Sequence, residues 1–302
     1  MRRNSIHRSQ TRNGFTVVEL MVAMGVIGVL LAITIPAVQS ARESARRTQC
    51  LSHVKQIGLA FHQFEEVYGH FPGAIVNREY WNVQVLPFLE QEKPIIVNGK
   101  TMNPVSSREV MACPSDPEST GQEISQSYLM SNGTNAHFRD GFNSNQSNDP
   151  ISPRDVTDGL STTIALSERL VSLGGNAQSY IPLDSPQWHH RLMRRTSVFH
   201  EDLDAFAEEC ETRSHLPRFA LHNEEEFTTV QTPNRNSCTN GNRNDIRSGT
   251  YAAVTVTSLH PGGVNVGMGD GAARFISDAI DRNVWRALGT RNGNEPIPGD
   301  SF

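Results

Sequence analysis

The chain has 302 residues, with 27 Lys+Arg against 32 Asp+Glu and 37% hydrophobic residues, which is room for one or two domains. This balance excludes a basic nucleic-acid binder, and setting aside the first fourteen residues, which carry Arg2, Arg3, Arg8 and Arg12 and no acid, leaves 23 basic against 32 acidic. Apolar residues are concentrated in one place, 18 of the 24 from Phe15 to Val38, so one membrane-grade segment precedes a polar body and a polytopic membrane protein is excluded.

Leu20 to Val38 is a run of 19 residues without a charge, about 28 Å of helix, enough to span a bilayer core. The arginines before it are expected to stay cytoplasmic. Glu19 does not fit a plain anchor, because a carboxylate at the start of an apolar run is costly to bury unless a cation pairs with it. Three readings compete: a cleaved secretory signal ending near Val38-Gln39-Ser40, an uncleaved anchor, and a segment processed at its polar edge. The apolar run is longer than a usual signal.

Gly14-Phe15-Thr16-Val17-Val18-Glu19-Leu20 decides among them. It resembles the prepilin-type cleavage and methylation motif of type IV pilins and type II secretion pseudopilins. The resemblance implies a membrane peptidase/methyltransferase that cuts between Gly14 and Phe15 and methylates the Phe15 amine. It also implies that Glu19 pairs with the N-terminal amine of a neighbouring pilin-like subunit, supplying the missing cation. Pro36 sits where the family helix carries its proline and is expected to kink or locally melt the helix. Gly25 and Gly28 weaken the helix or allow close helix packing.

Beyond Pro36 the pattern stays helical. Val54, Ile57, Phe61, Phe64 and Tyr68 form one apolar stripe, and Gly69 and Pro72 are stop signals. A spine shared between membrane and head accounts for this length better than a membrane helix followed by an independent helical hairpin. The expected organisation is a cytoplasmic leader at 1–14, a transmembrane half at 15–38, an amphipathic half at 39–69 and a head at 70–302. The fold class expected is α+β, pilin-like, a long N-terminal helix packed on a mainly antiparallel β head.

In the head, Val83 to Leu89 reads as an apolar segment, Cys113 to Pro117 as a rigid turn, and Thr157 to Glu168 as a turn feeding a strand. Residues of about 185–250 read as a polar surface insertion. Val264, Val266 and Met268 alternate as a strand, Asp270-Gly271 supplies a hairpin turn, and Phe275 on the return strand is expected to close the core. Ser277 is the expected N-cap of a last helix carrying Ile280, Val284 and Leu288 and closed by Gly289.

His260, nine residues and then Asp270-Gly271 make a segment similar to the H-X9-DG domain associated with prepilin-type processing, as are the patches around Cys50, Cys113 and Asp158. This second resemblance implies architecture and processing, with no established biochemical role. An extended strand from Val264 to Gly269 covers about 20 Å, too far for His260 and Asp270 to share a metal, so a structural hairpin is expected and no metal or cofactor is assigned. His189, His190, His200 and His215 lack regular ligand spacing. No nucleophile elbow, phosphate loop or C-x-x-C occurs, so no catalytic residue is assigned. Arg235, Arg243 and Arg247 lack interleaved aromatics, against a nucleic-acid site.

Four cysteines beyond a membrane segment are expected to be oxidised, and they allow three pairings. Cys210 and Cys238 share the 185–250 region, which favours joining them and leaves Cys50 for Cys113. The function expected is a non-enzymatic pilin-like or pseudopilin-like subunit in the inner membrane, single-pass with its head extracytoplasmic and reaching the cell surface after assembly. The alternative is a processed, membrane-anchored extracytoplasmic binding protein that does not polymerise.

Overall fold

The computed structural model describes residues 16–73, 75–76, 79–89, 95–97, 100–102, 109–117, 119, 126–134, 140–143, 151–171, 192–212, 219–220, 226–241, 252–298 and 302. Gly14, Phe15, His189, His190, His215, Arg243 and Arg247 lie outside them.

Helix α1 runs from Val17 to Tyr68. The chain divides into two compact units at Ala45. In the first unit every described residue from Thr16 to Arg42 is exposed, the whole uncharged run included. This helix is long and apolar enough to cross a membrane. It is unbroken at Pro36, so the expected local melting is absent. Proline removes a single N–H from the helical ladder, a defect that the turns on either side bridge. Nearby, the Thr34 hydroxyl donates to the Leu30 carbonyl at 2.9 Å, a bond that keeps this polar group satisfied inside the apolar stretch.

In the second unit, the buried residues of α1 are Cys50, His53, Val54, Ile57, Gly58, Ala60, Phe61 and Phe64. The expected stripe is therefore present up to Phe64, whereas Tyr68 is exposed and rests on the Phe64 ring at 4.4 Å between centroids. Gly69 follows with φ of 78°, a left-handed conformation that suits glycine and stops the helix.

After α1 come hairpin strands β1 (Ile75–Val76) and β2 (Glu79–Tyr80), helix α2 (Trp81–Val85), a 3₁₀ turn (Leu86–Leu89), and hairpin strands β3 (Ile95–Val97) and β4 (Lys100–Met102). The apolar segment at 83–89 is thus helical, with Trp81 against Phe61 edge-on. Next are β5 (Tyr128–Ser131), β6 (Ile164–Glu168), β7 (Leu192–Arg195), α3 (Leu203–Thr212), β8 (Phe219–Ala220), β9 (Glu226–Phe227), β10 (Ser237–Thr239), β11 (Ala252–Ala253), β12 (Gly263–Met268), β13 (Ala273–Ser277) and α4 (Arg282–Gly289).

The central sheet has the order β13-β12-β6-β5-β9, antiparallel except for the β5–β9 pair. Alternation along its strands sends successive side chains to opposite faces. Tyr128 and Met130 join the cluster around α1, while Leu129 between them joins the cluster around Trp285 and Leu288 of α4. The sheet is therefore covered on both faces, and β12 is buried at every residue. The fold class is α+β, a long helix on a mixed, mostly antiparallel sheet.

The 185–250 region, polar in composition, supplies strands to a second sheet ordered β11-β10-β7-β8, with a small core of Phe206, Cys210, Val230, Cys238 and Ala253.

At the carboxyl end the local expectations need two corrections. Asp281 caps α4, its carboxylate accepting from the Asn283 and Val284 amides, while the Ser277 hydroxyl accepts from the Ala279 amide in the preceding turn. An aspartate one residue before the first turn reaches the free N–H groups, and Ser277 is four residues too early. Gly289 ends the helix without a left-handed cap. Thr290 follows with φ of −86°, and a Cβ on Gly289 would lie 1.9 Å from the Thr229 hydroxyl oxygen. That glycine is there for close packing rather than for a turn.

Candidate functional site

The hairpin β12–β13 carries the H-X9-DG segment. Its register pairs Val264 with Ile276 and Asn265 with Phe275 across the strands. Val264, Val266, Met268 and Ile276 face α4, so Ile276 closes that core and Phe275 takes the other face, half-buried, with the Arg47 guanidinium of α1 3.2 Å from its ring centre. The core role expected of Phe275 falls to its neighbour because pairing with Asn265 puts Phe275 on the α1 side.

On that side the hairpin lies along α1. A Cβ at Gly267 would meet Val54 at 3.1 Å, and one at Gly58 would meet the Gly271 backbone at 3.2 Å. Gly271 has φ of 80°, and the Asp270 carboxylate accepts from the Ala272 amide at 2.9 Å, which closes the turn. At the opposite end His260, 2% exposed, places its Nε2 3.6 Å from Cys113 Sγ. His260 and Asp270 thus sit at opposite ends of a strand that docks on the helix, and its glycines are what let the backbones approach.

Two disulfides are present, Cys50–Cys113 and Cys210–Cys238. The first joins α1 to the turn at Cys113, where the Asp116 amide donates to the Cys113 carbonyl at 3.0 Å and the Ser119 hydroxyl at 2.9 Å. The second closes the small core between α3 and β10.

Around the first disulfide is a buried polar group that includes a residue with no sequence signal, Glu168. Its carboxylate accepts from the Asn265 amide at 2.7 Å and from the Asn265 side chain at 3.2 Å, with His260 Nε2 3.5 Å away. Burial pushes this carboxyl up, against the pull of His260, Asn265 and Ser258. Tyr128 donates to the Cys50 carbonyl at 3.4 Å, and burial together with the Glu168 charge holds its phenol well above its ordinary value. His53 Nδ1 lies 3.2 Å from the Ala112 carbonyl, and burial lowers its pKa, opposed by that carbonyl and by Glu109. Glu168 ends a run that reads as an ordinary strand, so its burial depends on partners about a hundred residues away.

Within the first unit, Glu19 accepts from the Thr16 amide and the Thr16 hydroxyl, both at 2.9 Å, while the Glu19 amide donates back to the Thr16 hydroxyl at 3.3 Å. This is a capping box, Thr16-x-x-Glu19, whose spacing is legible in the sequence. Elsewhere in the head His200 pairs with Glu209 of α3, which also accepts from the Ser197 amide at 2.6 Å.

Residues 39–283 match a family described as "Protein of unknown function (DUF1559)", and residues 10–35 match the "Prokaryotic N-terminal methylation motif". The chain belongs to the DUF1559 family. This is the family that carries the H-X9-DG segment, and its span takes in the disulfide-bearing part of α1, both sheets and the hairpin. No curated protein and no solved structure matches the chain. In a DUF1559 chain with an N-terminal methylation motif, processing by a prepilin peptidase and an apolar helix that suggests a membrane anchor go together.

Proposed function

We propose that this DUF1559 protein is a pilin-like or pseudopilin-like structural subunit, cut between Gly14 and Phe15, methylated on Phe15 and assembled through α1. The observation that carries the reading is that the methylation-motif match runs into a helix whose residues from Leu20 to Val38 are all exposed. So much apolar surface requires lipid before assembly and other apolar helices after it. The four leader arginines favour a cytoplasmic N-terminus in the inner membrane and an extracytoplasmic head, the side on which disulfides persist. No residue is assigned a catalytic role.

Glu19 separates this reading from its rival, a processed anchor that never polymerises. The rival draws support from the capping box, which gives the carboxylate a use within a single chain. Glu19→Gln retains an oxygen for the cap and discards the charge, whereas Glu19→Ala discards both. In an assembling subunit both variants lose cross-linking to neighbouring subunits in native membranes, with cleavage intact. Wild-type levels of cross-linked neighbours in Glu19→Gln would assign Glu19 to the cap alone. Intact mass tests the processing itself: a chain beginning at Phe15 with one added methyl is expected, and an intact Met1 or a start near Ala41 overturns it.

A further inference from the structure

The Cys50–Cys113 disulfide, Glu168 and His260 present four ligand atoms within 4.8 Å of one another, all buried. We infer that the same four side chains form a tetrahedral zinc site whenever the Cys50–Cys113 bond is reduced. The two-sulfur, one-nitrogen, one-oxygen set is the kind zinc takes in four-coordinate sites, with bonds of about 2.3 Å to sulfur and about 2.0 Å to nitrogen and oxygen.

Two edges already match those of a coordination sphere, and reduction frees the bonded sulfurs to part to the separation of about 3.8 Å that a shared zinc requires. Around a tetrahedral zinc, such bonds place nitrogen about 3.6 Å from sulfur and about 3.3 Å from oxygen. His260 Nε2 lies 3.6 Å from Cys113 Sγ and 3.5 Å from the Glu168 carboxylate. The same imidazole nitrogen faces both prospective ligands at the edge lengths that a shared metal requires. The outer shell is built as well. The Asn265 amide and side chain hold the Glu168 carboxylate at 2.7 and 3.2 Å, the kind of support that orients a ligating carboxylate.

The chemistry balances without an unnamed reagent. A dithiol reductant gives two electrons and two protons to the sulfur–sulfur bond and closes to its own disulfide, leaving Cys50 and Cys113 as thiols. Zinc then displaces both thiol protons to solvent and binds the thiolates, the neutral imidazole and the carboxylate. The metal would hold α1 to the turn at Cys113, to β6 and to the start of β12, joining elements that the disulfide joins only in part. Loading belongs to a chain that folds before it is oxidised, since both sulfurs are enclosed in the folded head.

The test uses the full chain in detergent, prepared anaerobically with a trialkylphosphine, which takes oxygen from water as the disulfides become thiols. Cobalt(II) is titrated as a spectroscopic substitute for zinc. The expected result is one cobalt per chain, with the visible bands of a four-coordinate ion and thiolate charge transfer. It should persist in Cys210→Ser/Cys238→Ser and be absent from the oxidised chain. His260→Ala should weaken binding by more than about 100-fold, beyond the loss an outer-shell partner gives. Absence of uptake by the reduced chain, equal uptake by the oxidised chain, undiminished binding in His260→Ala, or loss in Cys210→Ser/Cys238→Ser each overturns the inference. Should His260→Ala unfold, X-ray absorption of the zinc-loaded wild type decides: two sulfur and two nitrogen or oxygen neighbours support the site, and any other sulfur count refutes it.

Discussion

Gly271→Val and Asp270→Asn should have opposite severity. Gly271 holds φ of 80°, where an L side chain costs about 1–2 kcal/mol and a β-branched one more. Its added Cβ would also come within 3.2 Å of the His62 ring on α1, so the turn would have to move off the helix or the ring would have to yield. Together the backbone strain and the crowding amount to about 2–4 kcal/mol. In a unit of this size that lowers the melting temperature by roughly 5–15 °C. Asp270 is exposed, and its one described side-chain bond is the acceptor for the Ala272 amide, which an asparagine oxygen replaces. Asp270→Asn should therefore stay within about 0.5 kcal/mol of wild type. Gly271→Ala, strained but unbranched, should fall between them. The assay is thermal unfolding of the full chain in detergent, followed by near-ultraviolet circular dichroism with the disulfides intact. A loss in Asp270→Asn equal to that in Gly271→Val would refute the backbone account of the motif. If a chelator reproduced that loss, Asp270 would be a ligand.

Three further outcomes are expected. Gly289→Ala, which helix propensity alone predicts to be stabilising by up to about 1 kcal/mol, should instead destabilise by about 1–3 kcal/mol because its Cβ would collide with Thr229, as denaturant titration can measure. A bulky residue in place of Gly14 should accumulate uncut precursor on immunoblots while leaving membrane association intact. His53 should make stability depend on pH. Burial disfavours its charged form in the folded head, so the unfolded chain binds the extra proton and stability falls as pH drops below the ordinary histidine value of 6.5. His53→Gln should flatten that slope between about pH 7 and pH 5 in chemical denaturation.

Features governed by one strong local preference are legible in the sequence. The end of α1 at Gly69, the β12–β13 hairpin turn and the pairing of Cys210 with Cys238 each follow from such a preference and short-range spacing. Choices between neighbours are not. Ile276 rather than Phe275 faces α4 because cross-strand register decides it, and Asp281 rather than Ser277 caps α4 because the turn between them consumes the serine. Glu168 is hidden for a different reason. A carboxylate ending an apolar run looks like the exposed end of a strand, and only the fold brings Asn265 and His260 to it. Thr16-x-x-Glu19 has a readable signature, obscured by the intermolecular role that the family resemblance gives the glutamate. The 185–250 region reads as polar surface, whereas the few apolar residues that hold it together are widely separated in sequence.

The attachment of α1 to the head also has a mechanical meaning. Cys50 is bonded covalently to Cys113, and Gly58 abuts Gly271 eight residues further on, about 12 Å along the helix axis. Two fastenings spaced along a rod resist pivoting as one cannot, and of the two only the first is a covalent bond. A pull applied to the helix would therefore load the Cys113 turn and the strands behind it before it reached the glycine contact. The backbone packing at Gly58 would serve to keep the rod aligned, while the covalent share of the tension would pass into the Cys113 turn through one sulfur–sulfur bond.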